Sequence, residues 1–253
     1  MQRIAILTAM RSEYNTVLQS LNQIQSFQLE KGKSKNHYKQ LSGYIDKKRI
    51  FILKTGVGYQ KAKQAIQCFL KDNKIDIVIN VGIAGAINPD LSIGDLILCK
   101  SIIHENNPAQ ILTTDKINTN KLQQKCRQMD IPFNAGCAIN VLKPLGNDQQ
   151  RKLFYNNYHA DIVDMESFVF IEECVQNKIP FVAIKTISDK ADNNINFFKD
   201  MFDSNGQIQI TKLIKIIFMH PIRFYKNYRQ LISGSKTALY TLFRYVHIII
   251  EAL

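Results

Sequence analysis

Two short stretches place carboxylates where a fold can use them. Val163-Asp164-Met165-Glu166-Ser167 puts Glu166 at the head of an expected helix over 165–177. Ile187-Ser188-Asp189 puts Asp189 at the end of an expected apolar strand over 181–187, and Lys178-Ile179-Pro180 turns the chain between the two. Open α/β sheets hold ligands at the carboxyl ends of their strands, so Glu166 and Asp189 are candidates for one pocket. A partly desolvated carboxyl can donate a proton near neutrality, and a carboxylate can accept from two neighbouring hydroxyls. Each residue also has a plainer use. Asp189 would suit an N-cap after a strand, and Glu166 in a first helical turn would complement the helix dipole. Glu172 and Glu173, further along the same helix, read as surface charges.

The elements that would position these groups alternate. Residues 3–9 form an apolar strand, and 12–22 suit a helix with Val17, Leu18 and Leu21 inward and Ser12 as N-cap. Residues 26–55 read as a meander ending in the buried strand 50–55. Gly56-Val57-Gly58 opens a helix over 59–72. The strand over 75–81 runs into a second glycine-containing turn, Gly82-Ile83-Ala84-Gly85-Ala86. Glycine turns let backbone N–H groups approach an anion or a sugar, or simply turn the chain. Neither turn matches a dinucleotide or Walker pattern. Gly94-Asp95 leads into another strand, 104–120 reads as a loop containing Pro108, and a helix (119–129), a strand (135–142) and a helix (147–157) follow. This pattern predicts a single α/β domain, its central sheet mixed and largely parallel and flanked by helices. That domain is expected over 1–205, with a helical extension over 206–253.

The 253 residues, 45% of them hydrophobic, suffice for one substantial core. No apolar run is long enough to span a membrane, and the amino terminus reads as a strand rather than a signal peptide. The five cysteines show no metal spacing and fit buried thiols in a reducing cytoplasm. The net charge of +12 comes mostly from scattered lysines, which argues against a nucleic-acid surface. The tail differs. Lys212, Lys215, Arg223, Lys226, Arg229, Lys236 and Arg244 face a single acid, Glu251, and Pro221 splits the run. Such a segment either lies on an anionic membrane surface or packs on the sheet with its cations outward.

Six stretches in order resemble the nucleoside phosphorylase/nucleosidase superfamily, on the branch of 5'-methylthioadenosine/S-adenosylhomocysteine nucleosidases. They are Ile6 to Glu13, Lys54 to Gly58, Asn80 to Gly85, Gly94-Asp95, Asp164-Met165-Glu166, and Ile187 to Asp192. The Val163 to Ser167 signature, with Met219-His220-Pro221 and Gly234 to Leu239, is most similar to the hopanoid-associated phosphorylase-like branch. Some members of that branch act on an adenosine-headed lipid. The resemblance implies hydrolysis of an adenine nucleoside without metal or cofactor by a cytoplasmic homodimer, and a lipid-headed substrate would favour the membrane reading of the tail over the packed one. It makes Asp189, next to Ser188, the acid that serves N7 of the base. Glu166 would bind the ribose hydroxyls with Met165 packed on the sugar, and Glu13 would be the base for water. Gly82, Ile83 and Ala84 would line the substrate.

Two positions depart from the family pattern. Ile83 replaces a small hydroxyl residue, and no aromatic stands near Asn140-Val141-Leu142-Lys143 to stack on the base, a role left to Phe197 or Phe198. Two other readings remain. One is phosphorolysis, with phosphate on the glycine turns and Arg11. The other is a nucleoside- or lipid-binding protein without catalysis.

Overall fold

A computed structural model describes residues 1–30, 33–35, 37–145, 148–191 and 221–253. Phe197, Phe198 and the tail from 206 to 220 lie outside the described residues.

The spine is a run of apolar parallel strands. β1 (Gln2–Thr8) lies between β5 (Lys48–Lys54) and β6 (Ile77–Ala86), and β11 (Phe181–Asp189) pairs parallel to β6 on its far side. Buried on both faces, these segments are close to continuous hydrophobic runs, as parallel strands must be. The meander β2 (Gln28–Leu29), β3 (Lys33–Lys35) and β4 (Tyr38–Ile45) extends the sheet antiparallel beyond β5. On the other side come β7 (Leu96–His104), β9 (Asn134–Asn140) and β10 (Ile162–Asp164). β10 pairs with both β9 and β6, so β6, β11, β7, β9 and β10 close into a ring. The sheet is therefore mixed, with helices on both faces: α1 (Arg11–Leu21), α2 (Tyr59–Asp72), α3 (Lys116–Gln128), α4 (Asp148–Tyr158), α5 (Ser167–Gln176) and α6 (Pro221–Glu251).

Several local expectations change. Gly82 to Ala86 is not a turn but the last half of β6. Residues 107–113 are not loop but β8 (Asn107–Thr113), a hairpin partner of β7. β8 is an edge strand, where Pro108 costs no ladder bond on its open side. The N-cap of α1 is Met10, not Ser12, because Glu13 takes the Met10 N–H at 2.8 Å. Glu173 is buried rather than exposed. α5 packs against α2, and Gln67 Nε2 donates to Glu173 Oε1 at 2.6 Å.

The described part of the tail belongs to the core. Ala238, Leu242, Val246, Ile249 and Ile250 are buried, Thr186 Oγ1 donates to the Ala238 carbonyl at 3.0 Å, and Ser20 Oγ donates to that of Phe243 at 2.8 Å. Gly234 lies against the Ser188 carbonyl; a Cβ there would fall 2.0 Å from that oxygen. α6 thus crosses directly over the end of β11 that carries Ser188 and Asp189. Pro221 sits at its amino end, where a missing N–H is harmless.

Candidate active site

The site begins where β1 stops. β1 pairs with β6 as far as Leu7 opposite Asn80, but β6 runs on to Ala86, and β10 takes up pairing only at Gly85. Between those points this edge of β6 has no strand partner among the described residues, and its N–H groups need an acceptor. Glu13, from the first turn of α1, fills the gap. Its Oε1 accepts from Ile83 N–H at 3.0 Å, and its Oε2 from Ala9 and Met10 at 2.9 and 2.8 Å. Gly82 makes this possible: a Cβ there would stand 2.7 Å from Glu13 Oε1. Burial pushes the Glu13 carboxyl up, against the pull of these three N–H groups and of Lys185.

Glu166 is the N-cap of α5 rather than a first-turn residue, and its side chain does not cap the helix. It reaches across to the first glycine turn, where Gly58 N–H donates to Oε1 at 2.7 Å. Gly58 has φ 96°, a left-handed conformation natural to glycine, which aims that N–H inward. The group held by this turn is thus the protein's own carboxyl. Burial and the neighbouring Asp164 push Glu166 up to about 8.

Asp189 is re-aimed by a bulge. Pairing between β11 and β6 steps from Ile187–Ala84 to Asp189–Gly85, leaving Ser188 as the extra residue. The Asp189 carboxylate lies over Gly85, where a Cβ would be 2.9 Å from Oδ2. Ser188 Oγ donates to Oδ1 at 2.8 Å. Arg151, from α4, forms a buried ion pair with Oδ2 at 2.5 Å.

Two further charged groups complete the floor. Lys185 Nζ pairs with Asp164 Oδ2 at 2.7 Å, both side chains buried, and the Ser167 hydroxyl donates to the same oxygen. Burial alone would lower Lys185, but Asp164, Glu13 and Glu166 outweigh it and hold the ammonium above its usual value. A lone lysine inside the apolar run Phe181 to Ile187 was a visible sign of a buried partner. Arg151 gave no such sign, because it stands in a polar run, Asp148 to Lys152, like any surface cation.

One cavity of about 170 Å³ joins these groups. Glu13, Ile83, Ala84, Met165, Glu166, Ser188 and Asp189 all line it, together with Arg151 and Asp164. Gly82 does not line it and acts by making room for Glu13. Where a stacking aromatic was sought, Val141, Pro144 and Leu145 form an apolar wall. Arg11 is exposed and takes no part in the lining.

Known proteins share this arrangement of elements. A 5'-methylthioadenosine/S-adenosylhomocysteine nucleosidase of Staphylococcus epidermidis is 21% identical over 229 residues, spanning 85% of this chain and 98% of that protein. The futalosine hydrolase of Helicobacter pylori superposes with a TM-score of 0.78 at 15% identity, covering 100% of this chain and 98% of its own. A Neisseria meningitidis 5'-methylthioadenosine/S-adenosylhomocysteine nucleosidase bound to methylthio-immucillin-A gives 0.76 at 18% identity, covering 100% of both chains. At these identities the superpositions establish the fold. The sequence model of the Phosphorylase superfamily matches residues 3–218, from the first strand through the site to the tail, and the chain belongs to that superfamily.

Proposed function

We propose that the protein hydrolyses the N-glycosidic bond of an adenine nucleoside, releasing adenine and a ribosyl product. The observation that carries hydrolysis is the seat of Glu13. A buried carboxylate already holds Ile83 N–H, and Glu166 already holds Gly58 N–H. The backbone donors that a phosphate would need are already engaged by the protein's own carboxyl groups. Water, by contrast, is a poor nucleophile until a carboxylate takes its proton, and that role is assigned here to Glu13. The absence of a hydroxyl at Ile83 and the outward position of Arg11 agree with this.

Glu166 accepts from the ribose hydroxyls, with Met165 against the sugar. Asp189, steadied by Ser188, faces the base and delivers a proton to N7. Ala84 and Ile83 form the wall between the two ends. The names of the similar proteins, a 5'-methylthioadenosine/S-adenosylhomocysteine nucleosidase among them, support a thioether or an apolar group at the 5' position. We further propose that the enzyme works in the cytoplasm as a homodimer. Its tail would touch anionic lipid through the exposed Tyr225, Tyr228 and Tyr240, with Arg229 and Arg244 beside them. No helix of the described residues is long and apolar enough to cross a membrane.

The test is release of free adenine from 5'-methylthioadenosine, S-adenosylhomocysteine and adenosine, with and without phosphate. Equal rates in both buffers, an unphosphorylated sugar at C1' as the second product, and a loss of at least about 100-fold in Glu13→Gln are expected. A phosphate requirement, or a ribose 1-phosphate as product, would overturn hydrolysis.

A further inference from the structure

Arg151 is the largest side chain fully buried among the described residues, only 1% exposed. Burying a guanidinium is costly unless its donors are met. Its Nη1 donates to the carbonyls of Ala86 at 2.6 Å and Lys190 at 2.9 Å, which cap the ends of β6 and β11. Nη2 donates to Asp189 Oδ2 at 2.5 Å, and the Nε–H, sealed from water, has no partner among the described residues. An arginine kept only for packing would spend all of its donors on the fold. Here the anchored end fixes the group against two strand ends, and the working end meets the one carboxylate that faces the base.

We infer that Arg151 is a positioning residue for Asp189: it orients the acid and stabilises the carboxylate left when the proton has moved to the base. The inference rests on the nucleosidase reading. In the step it serves, the C1'–N9 bond breaks and its electron pair passes to the purine. The proton of Asp189 goes to N7, so the base leaves neutral. Asp189 becomes a carboxylate beside the guanidinium, the pairing seen in the structure. Water adds to C1', its proton passes to Glu13, and exchange with solvent returns one proton to Asp189. Ser188 Oγ on the other carboxylate oxygen, and the missing Cβ of Gly85, hold the plane of the acid while its charge changes. Arg151 cannot deliver the proton itself, because a guanidinium does not deprotonate in proteins. It therefore acts through Asp189 and not on the substrate.

The experiment varies the need for an acid. An adenine nucleoside needs a proton on its leaving group, whereas the nitrophenolate of 4-nitrophenyl ribofuranoside does not. Arg151→Met should lose roughly 100-fold or more in kcat/KM on the adenine nucleoside and less than about 5-fold on the nitrophenyl riboside. Arg151→Lys should recover part of the first loss. In an Asp189→Asn background, Arg151→Met should add almost nothing, as expected for groups acting as a unit. Thermal melting checks the fold, and where Arg151→Met does not fold, Arg151→Lys carries the same comparison. Equal losses on both leaving groups, or a full additional loss in the Asp189→Asn background, would show a merely structural arginine. If the wild type releases no base from any adenine nucleoside, the nucleosidase reading itself fails, and this inference with it.

Discussion

Replacing Glu166 by glutamine should change how stability depends on pH, in a direction fixed by the structure. Burial and Asp164 push the folded Glu166 carboxyl up to about 8 from the ordinary 4.5. Between those two values the folded chain keeps a proton that the unfolded chain has lost. Stability from this group is therefore full below the unfolded value and falls as pH rises toward about 8, after which it is level. The interval is 8 − 4.5 = 3.5 units, and at about 1.4 kcal/mol per unit it carries on the order of 5 kcal/mol. The Glu166→Gln side chain would keep an oxygen for the Gly58 N–H and would remove the titration. Urea denaturation of both proteins at constant ionic strength, from about pH 5 to about pH 9, reads the difference directly. The variant should gain on the wild type steadily up to about pH 8 and then hold its lead. A difference that stays flat across that range, or that shrinks as pH rises, would refute the assignment of a protonated, buried Glu166.

Other outcomes follow from the same contacts. In kinetics above about pH 8, where Glu166 is ionised, Glu166→Gln should cost roughly 2 kcal/mol in kcat/KM, the scale of a hydrogen bond to a charged group. A 2'-deoxy substrate should lose less in the variant than in the wild type, and equal losses would remove Glu166 from the sugar. Gly82→Ala puts a Cβ 2.7 Å from Glu13 Oε1. It should lower stability by about 1–3 kcal/mol as overpacking does, and it should cut turnover far more; unchanged turnover would separate Glu13 from the chemistry. The full chain should co-sediment with anionic vesicles more strongly at low salt than at high salt. No binding at low ionic strength would leave α6 as a packed helix alone.

The strands that hold the site were legible because both of their faces are buried. Residues 3–9, 50–55, 75–81 and 181–187 each read as apolar runs, and each is a strand of the parallel spine. Gly82 and Gly85 misled for a physical reason. Glycine usually punctuates a chain, whereas here each glycine stays in the strand and surrenders its side-chain volume to a carboxylate from elsewhere. Such a use depends on a partner distant in sequence, which no local pattern reports. β8 was hidden by its polarity and Pro108, both tolerated because it pairs on one side only among the described strands. Glu173 carries the same charge as the adjacent Glu172, and only the packing of α5 on α2 buries it. Glu13 was readable only through its place after the first strand, since Arg11 to Asn15 is polar throughout.

The distribution of buried charge connects these pieces to the reaction. At the end of the cavity assigned to the sugar, three carboxyl groups (Glu13, Asp164 and Glu166) share one ammonium among the described residues, that of Lys185. At the end assigned to the base, the Asp189 carboxyl meets the Arg151 guanidinium. Breaking a glycosidic bond separates charge in that same sense: the ribose becomes oxocarbenium-like while electrons pass to the leaving group. The carboxyl oxygens clustered under the sugar stabilise the first change, and Asp189 beside the Arg151 guanidinium accommodates the second without a further ion. Because these groups are fixed by strand ends, a bulge and backbone N–H donors, they need little rearrangement as the charge develops, which is the condition for electrostatic catalysis to be effective. The same cluster of acids explains why water suits this site better than phosphate. An anionic nucleophile would have to enter beside Glu13 and Glu166, and Lys185, the described cation that could offset them, is already committed to Asp164.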